Sequence, residues 1–338
     1  MTQQRKRIYV AYTGGTIGMQ KSAQGYVPAP GFLTACVNKM PEFFRAEMPH
    51  FDIHEYQPLM DSSDMSPEDW QRIADDIQNN YAAYDGFVIL HGTDTMAYTA
   101  SALSFMFENL GKPVIITGSQ IPLAELRSDG QTNLLNALYI AANYPIHEVG
   151  LFFNNRLYRG NRATKADANG FNAFESPNFR PLLEAGIQIS VKAGTVKPLD
   201  TAPLRVAPVT PQAIGVLTLY PGISPVLFDH LLQQPVKALI MQSYGVGNAP
   251  QNRALLESLE RGVQAGVTVL NCTQCFKGKV NMEGYATGNA LAEIGVISGY
   301  DMTIEAALTK LHYLLSQKLP QAELERCLQT DLRGELSA

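Results

Sequence analysis

Positive charge is in short supply in this chain: 26 Lys plus Arg face 31 Asp plus Glu, for a formal net charge of −5. That argues against nucleic-acid binding, whose affinity rests on neutralising phosphates with a basic surface. The one basic cluster, Arg5-Lys6-Arg7, precedes an apolar run that stops at Tyr12. The run is too short for the hydrophobic region of an export signal, and no run anywhere reaches membrane-spanning length. A cytoplasmic protein without membrane attachment is the expectation. Cysteine is scarce too: Cys36, Cys272, Cys275 and Cys327. Cys272-Thr-Gln-Cys275 is a lone CxxC without a second pair at zinc spacing, so reduced thiols and no metal are expected. Neither G-x-x-x-x-G-K-[ST] nor a G-x-G-x-x-G after the first strand is present, which removes the common nucleotide-phosphate loops. No cofactor is expected.

What is present is an ordinary globular composition, 46% hydrophobic and 17% charged, over 338 residues, long enough for two domains. Strand-like and helix-like segments alternate. Strands are predicted at Arg7 to Tyr12, Phe51 to Gln57, Gly86 to Leu90, Lys112 to Thr117 and Glu148 to Asn154. Helices are predicted from Ser66-Pro67 to about Asn80, over Met96 to Asn109 and over Asp129 to Asn143. Residues 19–30 read as an exposed loop. This alternation predicts an α/β fold with a mostly parallel sheet covered on both faces. From about Val191 to Pro211 prolines accumulate without periodicity, the mark of a linker. Alternation then resumes, with a final long helix over Met302 to Ser316. The expected organisation is a larger N-terminal α/β domain (1–188), a Pro-containing linker (189–212) and a smaller C-terminal α/β domain (213–338).

Three predicted strands end in polar turns: Thr13-Gly14-Gly15-Thr16, Asp61-Ser62-Ser63-Asp64 and His91-Gly92-Thr93-Asp94. Turns after parallel strands gather at one edge of the sheet, where α/β proteins bind ligands. Gly14-Gly15 lets main chain approach a ligand with no Cβ in the way. The hydroxyls and carboxylates suit a small zwitterion, with carboxylates for its ammonium and hydroxyls plus backbone N–H groups for its carboxylate. The competing local reading is that Asp94 or Thr95 merely caps the helix that follows. Taken singly, Lys165 reads as a solvated lysine, Tyr26 as a loop aromatic and His91 as a strand-end residue.

Thr13-Gly-Gly-Thr-Ile-Gly18 and His91-Gly-Thr-Asp-Thr-Met96 resemble the two signature motifs of the bacterial-type L-asparaginases. The resemblance covers essentially the whole chain. With Asp61-Ser-Ser-Asp-Met65 and no export signal, the chain is most similar to the cytoplasmic type I branch. The resemblance implies an L-asparagine amidohydrolase that yields L-aspartate and ammonia without metal or cofactor. It implies that Thr16 attacks the side-chain amide to form a β-aspartyl ester and that Tyr26 helps to deprotonate it. Ser62 and Ser63 would hold the substrate α-carboxylate, with Asp61 and Ser119 also in the substrate-binding set. Asp94 would grip the α-amino group. Thr93, Lys165 and Asp94 match a triad that activates water or, in some accounts, the first attack.

Physical chemistry supports that division of labour. A threonine hydroxyl needs a base or a network to relieve it of its proton. Only His91 among the six histidines lies in a motif, so a Ser-His-Asp scheme lacks its base. A lysine beside a carboxylate and hydroxyls can take that role once desolvated. The Gly-flanked Thr93 N–H is a candidate oxyanion donor. The resemblance further implies a homotetramer built as a pair of dimers, in which Asn248 of Ser243-Tyr-Gly-Val-Gly-Asn248 reaches a neighbour's site. Glu283 lies in the region where the secreted branch supplies a glutamate from the neighbour. Some type I members bind a second, regulatory asparagine; Thr164, Gln242 and Cys275 are the candidate contacts, with Gln242 standing where some relatives carry a basic residue. Two other readings stay open: a non-catalytic amino-acid sensor, and the amidase subunit of a tRNA-dependent amidotransferase.

Overall fold

The run from Ile8 to Tyr12 is apolar without alternation because both faces of its strand are covered, as in parallel sheets. In the computed structural model it lies in β1 (Arg7–Gly14), buried from Ile8 onward. The structure describes residues 5–23, 25–193, 202–233, 235–282 and 286–337. The chain divides into two compact units, residues 1–207 and 208–338.

In the first unit β2 (Met19–Ser22) and β3 (Gly25–Pro28) form a hairpin, followed by α1 (Phe32–Val37) and β4 (His50–Met60). α2 (Pro67–Asn80) starts where Ser66 and Asp69 make a reciprocal capping box and Pro67 takes the first turn. Then come β5 (Gly86–Leu90), α3 (Met96–Met106), the short β6 (Phe107–Glu108), β7 (Val114–Thr117), α4 (Gly130–Asn143) and β8 (Val149–Phe153). The chain returns antiparallel in β9 (Arg156–Arg159) and makes a two-residue ladder from β10 (Thr164–Lys165) and β11 (Phe174–Glu175). It closes the sheet edge with β12 (Leu183–Ala185) and β13 (Ile189–Val191), and β14 (Arg205–Val206) pairs with β6.

The large sheet has the order β13-β12-β9-β8-β7-β5-β1-β4, with β4, β1, β5, β7 and β8 parallel. From β1 the chain goes outward to β4 and then back to β5 on the other side. The order therefore reverses at β1 and β5, and the crevice outside their carboxyl ends is where such sheets bind ligands. α3 begins there. Apart from Tyr98 all its residues are buried, so it is a core helix that holds its first turn rigidly.

The second unit continues with β15 (Ile214–Thr218), α5 (Pro225–Leu231), β16 (Ala238–Ser243), α6 (Arg253–Gln264), β17 (Thr268–Thr273), α7 (Ala286–Glu293), β18 (Ile297–Ser298), α8 (Ile304–Ser316) and α9 (Gln321–Gln329). Its four strands are parallel in the order β15-β16-β17-β18. Lys310 on α8 and Glu335 beyond α9 are both fully buried and paired at 2.6 Å. Lys310 also donates to the carbonyls of Leu328 and Thr330, while Glu335 accepts the N–H groups of Leu332 and Arg333.

Several expectations are corrected. Residues 19–30 are largely a hairpin, since Gln20 pairs with Val27 and Lys21 with Tyr26. The helix expected to reach Asn109 ends at Met106, because Phe107 and Glu108 pair with β14. The stretch 189–212 is not wholly a free connection: Ile189–Val191 belongs to the large sheet and Arg205–Val206 pairs with β6. Residues 194–201, Pro198 among them, lie outside the described residues, as does Glu283. The helix over 304–316 is not the last, for α9 follows it. Among the described residues no helix is long and apolar enough to cross a membrane.

Candidate active site

At the carboxyl ends of β1, β4 and β5 the three polar turns meet at main-chain distance. Gly15 has φ of 93°, and a Cβ placed on it would stand 2.4 Å from the Gly92 nitrogen. A Cβ on Gly92 would stand 2.3 Å from Ser62 Oγ. Both contacts are closer than real atoms tolerate, so only glycine fits at either position. Thr13 donates its hydroxyl to the Leu90 carbonyl at 2.9 Å, fastening the end of β1 to β5. Thr95 Oγ1 donates to the Ser62 carbonyl at 2.6 Å, fastening the third turn to the second. No side chain caps α3. The capping reading of Asp94 and Thr95 is therefore wrong; both side chains are spent across the crevice.

Lys165, on β10, is the centre of that crossing. Its ammonium donates to Asp94 Oδ1 at 2.7 Å and to Thr93 Oγ1 at 3.0 Å. The lysine side chain is 21% exposed and the Asp94 side chain 62%, so the cation lies beneath a carboxylate that faces solvent. Thr93 is buried and donates in turn to Gln120 Oε1 at 3.1 Å. Thr16 opens the short 3-10 turn Thr16–Gly18. It is half-buried, and its hydroxyl makes no hydrogen bond among the described residues. Gly15, which precedes it, lies against Gly92, so Thr16 starts beside the turn that carries Thr93 and Asp94; a hydroxyl without a competing partner is suited to acyl transfer.

The remaining expected residues fall into place around these. Asp61 accepts the N–H and the hydroxyl of Ser63, each at 2.9 Å, and Ser62 is buried in the same turn. Ser119 is buried and gives its hydroxyl to the Ile121 carbonyl at 2.6 Å, so it serves its own turn. Tyr26 stands on β3, 47% exposed, and β3 packs against the Thr16–Gly18 turn. His91 is wholly buried, and burial pushes its imidazole down to about 4. Its Nδ1 lies 2.7 Å from the Gly92 carbonyl and must donate, which leaves Nε2 to accept from Thr99 at 2.9 Å. It is a neutral structural group.

A family model described as "Asparaginase, N-terminal" matches residues 7–197, and one described as "Glutaminase/Asparaginase C-terminal domain" matches residues 213–328. The chain belongs to the asparaginase family. L-asparaginase 1 of Escherichia coli is 68% identical over 334 residues, covering 99% of both chains. A crystal structure of L-asparaginase I from Vibrio cholerae matches with a TM-score of 0.93 at 64% identity, covering 99% of this chain and 100% of the other. The thermostable L-asparaginase from Thermococcus kodakarensis matches with a TM-score of 0.89 at 30% identity, covering 98% and 99%. The asparaginase fold of two α/β domains is the fold expected.

In this family member the second unit carries Asn248, Gln242 and Cys275. Asn248 closes its loop through paired main-chain hydrogen bonds with Tyr244. Gln242 Oε1 accepts the Thr218 hydroxyl at 2.7 Å. The Cys275 N–H bonds to Thr273 Oγ1 at 3.0 Å, and its thiol is exposed and unlinked. Thr164 pairs with Glu175 in the ladder beside Lys165. Gln120 and Asp129 were not expected. Asp129 accepts the N–H groups of Gln120 and Ile121, and Gln120 touches Thr93. Position alone pointed to Gln120, since it ends the polar turn after a buried strand.

Proposed function

We propose that this asparaginase-family enzyme hydrolyses L-asparagine to L-aspartate and ammonia through an ester on Thr16. The observation that carries the reading is Lys165 bonded to both Thr93 and Asp94, in the turn whose Gly92 lies against Gly15, the residue before Thr16. Asp94, exposed and anionic, receives the α-ammonium of the substrate. Ser62 and Ser63 receive the α-carboxylate, and Tyr26, on the strand packed against the Thr16–Gly18 turn, helps to deprotonate Thr16. Thr16 Oγ attacks the amide carbon, its proton passes to the leaving nitrogen, and ammonia departs. A water held by the Thr93 oxygen, which Lys165 orients, then attacks the ester carbon; as the ester C–O bond breaks, the water's proton passes to the departing Thr16 oxygen, which returns Thr16 and releases aspartate. Each step uses groups already oriented by the fold, which is where most catalytic stabilisation arises.

The finer parts of the proposal are a cytoplasmic homotetramer, with Asn248 reaching a neighbouring copy's site, and activation by a second asparagine. The names of the related L-asparaginases support the substrate.

Ammonia release from asparagine tests the reaction. Wild type should turn over, and Thr16→Ala should lose on the order of 10³-fold or more in kcat while still binding asparagine by calorimetry. Tight binding by the wild type without ammonia would make the protein a sensor and overturn the enzymatic reading. Ammonia formed only with an aminoacylated tRNA and a partner subunit would favour the amidotransferase instead.

A further inference from the structure

We infer that Gln120 is a positioning residue that fixes the direction of the Thr93 hydroxyl proton and so lets the site tell amide from acid. The inference rests on the asparaginase reading above. A Lys165 ammonium can only donate, so Thr93 Oγ1, at 3.0 Å, must accept from it. The single proton of Thr93 then goes to Gln120 Oε1 at 3.1 Å. The Gln120 amide is not free to turn round. Its Nε2 faces two carbonyls, Gly170 at 3.0 Å and Ala168 at 3.3 Å, and an oxygen there would meet only acceptors. Its main chain is pinned as well, because the Gln120 N–H lies 3.0 Å from both oxygens of Asp129 at the start of α4.

The consequence concerns the one lone pair that Thr93 has left. With its proton held by Gln120 and one lone pair held by Lys165, Thr93 shows the crevice an acceptor and no donor. An acceptor suits the N–H of a side-chain amide or the O–H of an incoming water. It opposes the side-chain carboxylate of aspartate, which has only acceptors to offer. Gln120 thereby weakens the hold on the product relative to the substrate, a specificity made by refusing a hydrogen bond rather than by adding one.

The test replaces Gln120 in two ways. Gln120→Met keeps the length and removes the acceptor, so the Thr93 hydroxyl can swing and donate to a carboxylate. Aspartate affinity, titrated by calorimetry, should tighten about tenfold, as expected for one hydrogen bond to a charged group. The KM for asparagine should change less than threefold, and kcat should fall. Gln120→Glu keeps an acceptor toward Thr93 but loses the donor toward Ala168 and Gly170 and adds a negative charge, so aspartate Kd relative to asparagine KM should not fall below the wild-type ratio. If both variants lose activity alike with no gain in aspartate affinity, Gln120 only anchors its loop and the inference is overturned. Gln120→Leu carries the same expectation as Gln120→Met should the latter fail to fold. Because aspartate binding is measured without turnover, a wild type that releases no ammonia would sink the enzymatic reading separately.

Discussion

A histidine inside a catalytic motif invites assignment as the base, and at the scale of single residues burial decides against it. His91 is enclosed, donates to the Gly92 carbonyl and accepts from Thr99. Its imidazole is pushed from 6.5 to about 4 by burial, with the Gly92 bond and Asp69 opposing. Between those values the unfolded chain binds a proton that the folded chain refuses. Stability is therefore full above pH 6.5 and falls as pH drops toward 4. The loss between pH 7.5 and 4.5 should be on the order of 2–3 kcal/mol. Urea unfolding at the two pH values checks it: the wild-type drop should shrink by that amount in His91→Gln, and an equal drop in both proteins would contradict it. Residue roles were only half legible in the sequence. Lys165 alone reads as a solvated lysine, and only the fold puts its ammonium against Thr93 and Asp94. Gln120 escaped because a glutamine gains its meaning from partners as distant in sequence as Gly170.

Elements were legible in proportion to their length and burial. β1, β5 and β8 are unbroken apolar runs and α2 carries a capping box with Pro67, so their signals are local. The pieces that were missed owe their existence to pairing. The hairpin of β2 and β3, the edge strands β12 and β13, and the contact of β6 with β14 are two to four residues each, and their partners define them. α9 was missed for another reason: it is anchored by its C-terminal flank, where Glu335 meets Lys310 out of reach of solvent. Breaking a buried pair leaves one charge without compensation. Glu335→Gln should therefore lower the unfolding free energy by about 3–5 kcal/mol, read by chemical denaturation. Lys310→Met combined with Glu335→Leu should recover most of the loss; a double variant no better than the single one would mean that packing rather than charge holds the tail.

The architecture of the whole chain followed from alternation, because a strand feeding a helix feeding a strand has few ways to pack. The gathering of the three polar turns at one edge followed too, because parallel strands end on the same side. The division between units did not follow cleanly. Proline density drew attention to 189–212; the boundary between the units falls within it, after Ala207, yet Ile189–Val191 and Arg205–Val206 are paired with strands of the first unit. The proposed activation by a second asparagine is tested at this scale. Activation by a second asparagine predicts a sigmoidal dependence of rate on asparagine. A hyperbola with a Hill slope near one removes it, and the hydroxyl already bonded to Gln242 Oε1 by Thr218 is the contact such an effector would have to displace.

The meeting of Gly15, Gly92 and Ser62 also limits how this enzyme can drift. At most buried positions the damage done by a substitution grades with the size of the newcomer. At Gly15 and Gly92 the first carbon already collides, with main chain in one case and with Ser62 in the other. In a library of all single replacements the two positions should show a flat profile, with alanine as harmful as leucine. No stepwise path of small enlargements leads away from either glycine. Variation in the crevice is thereby pushed outward, away from the three turns that meet at these glycines.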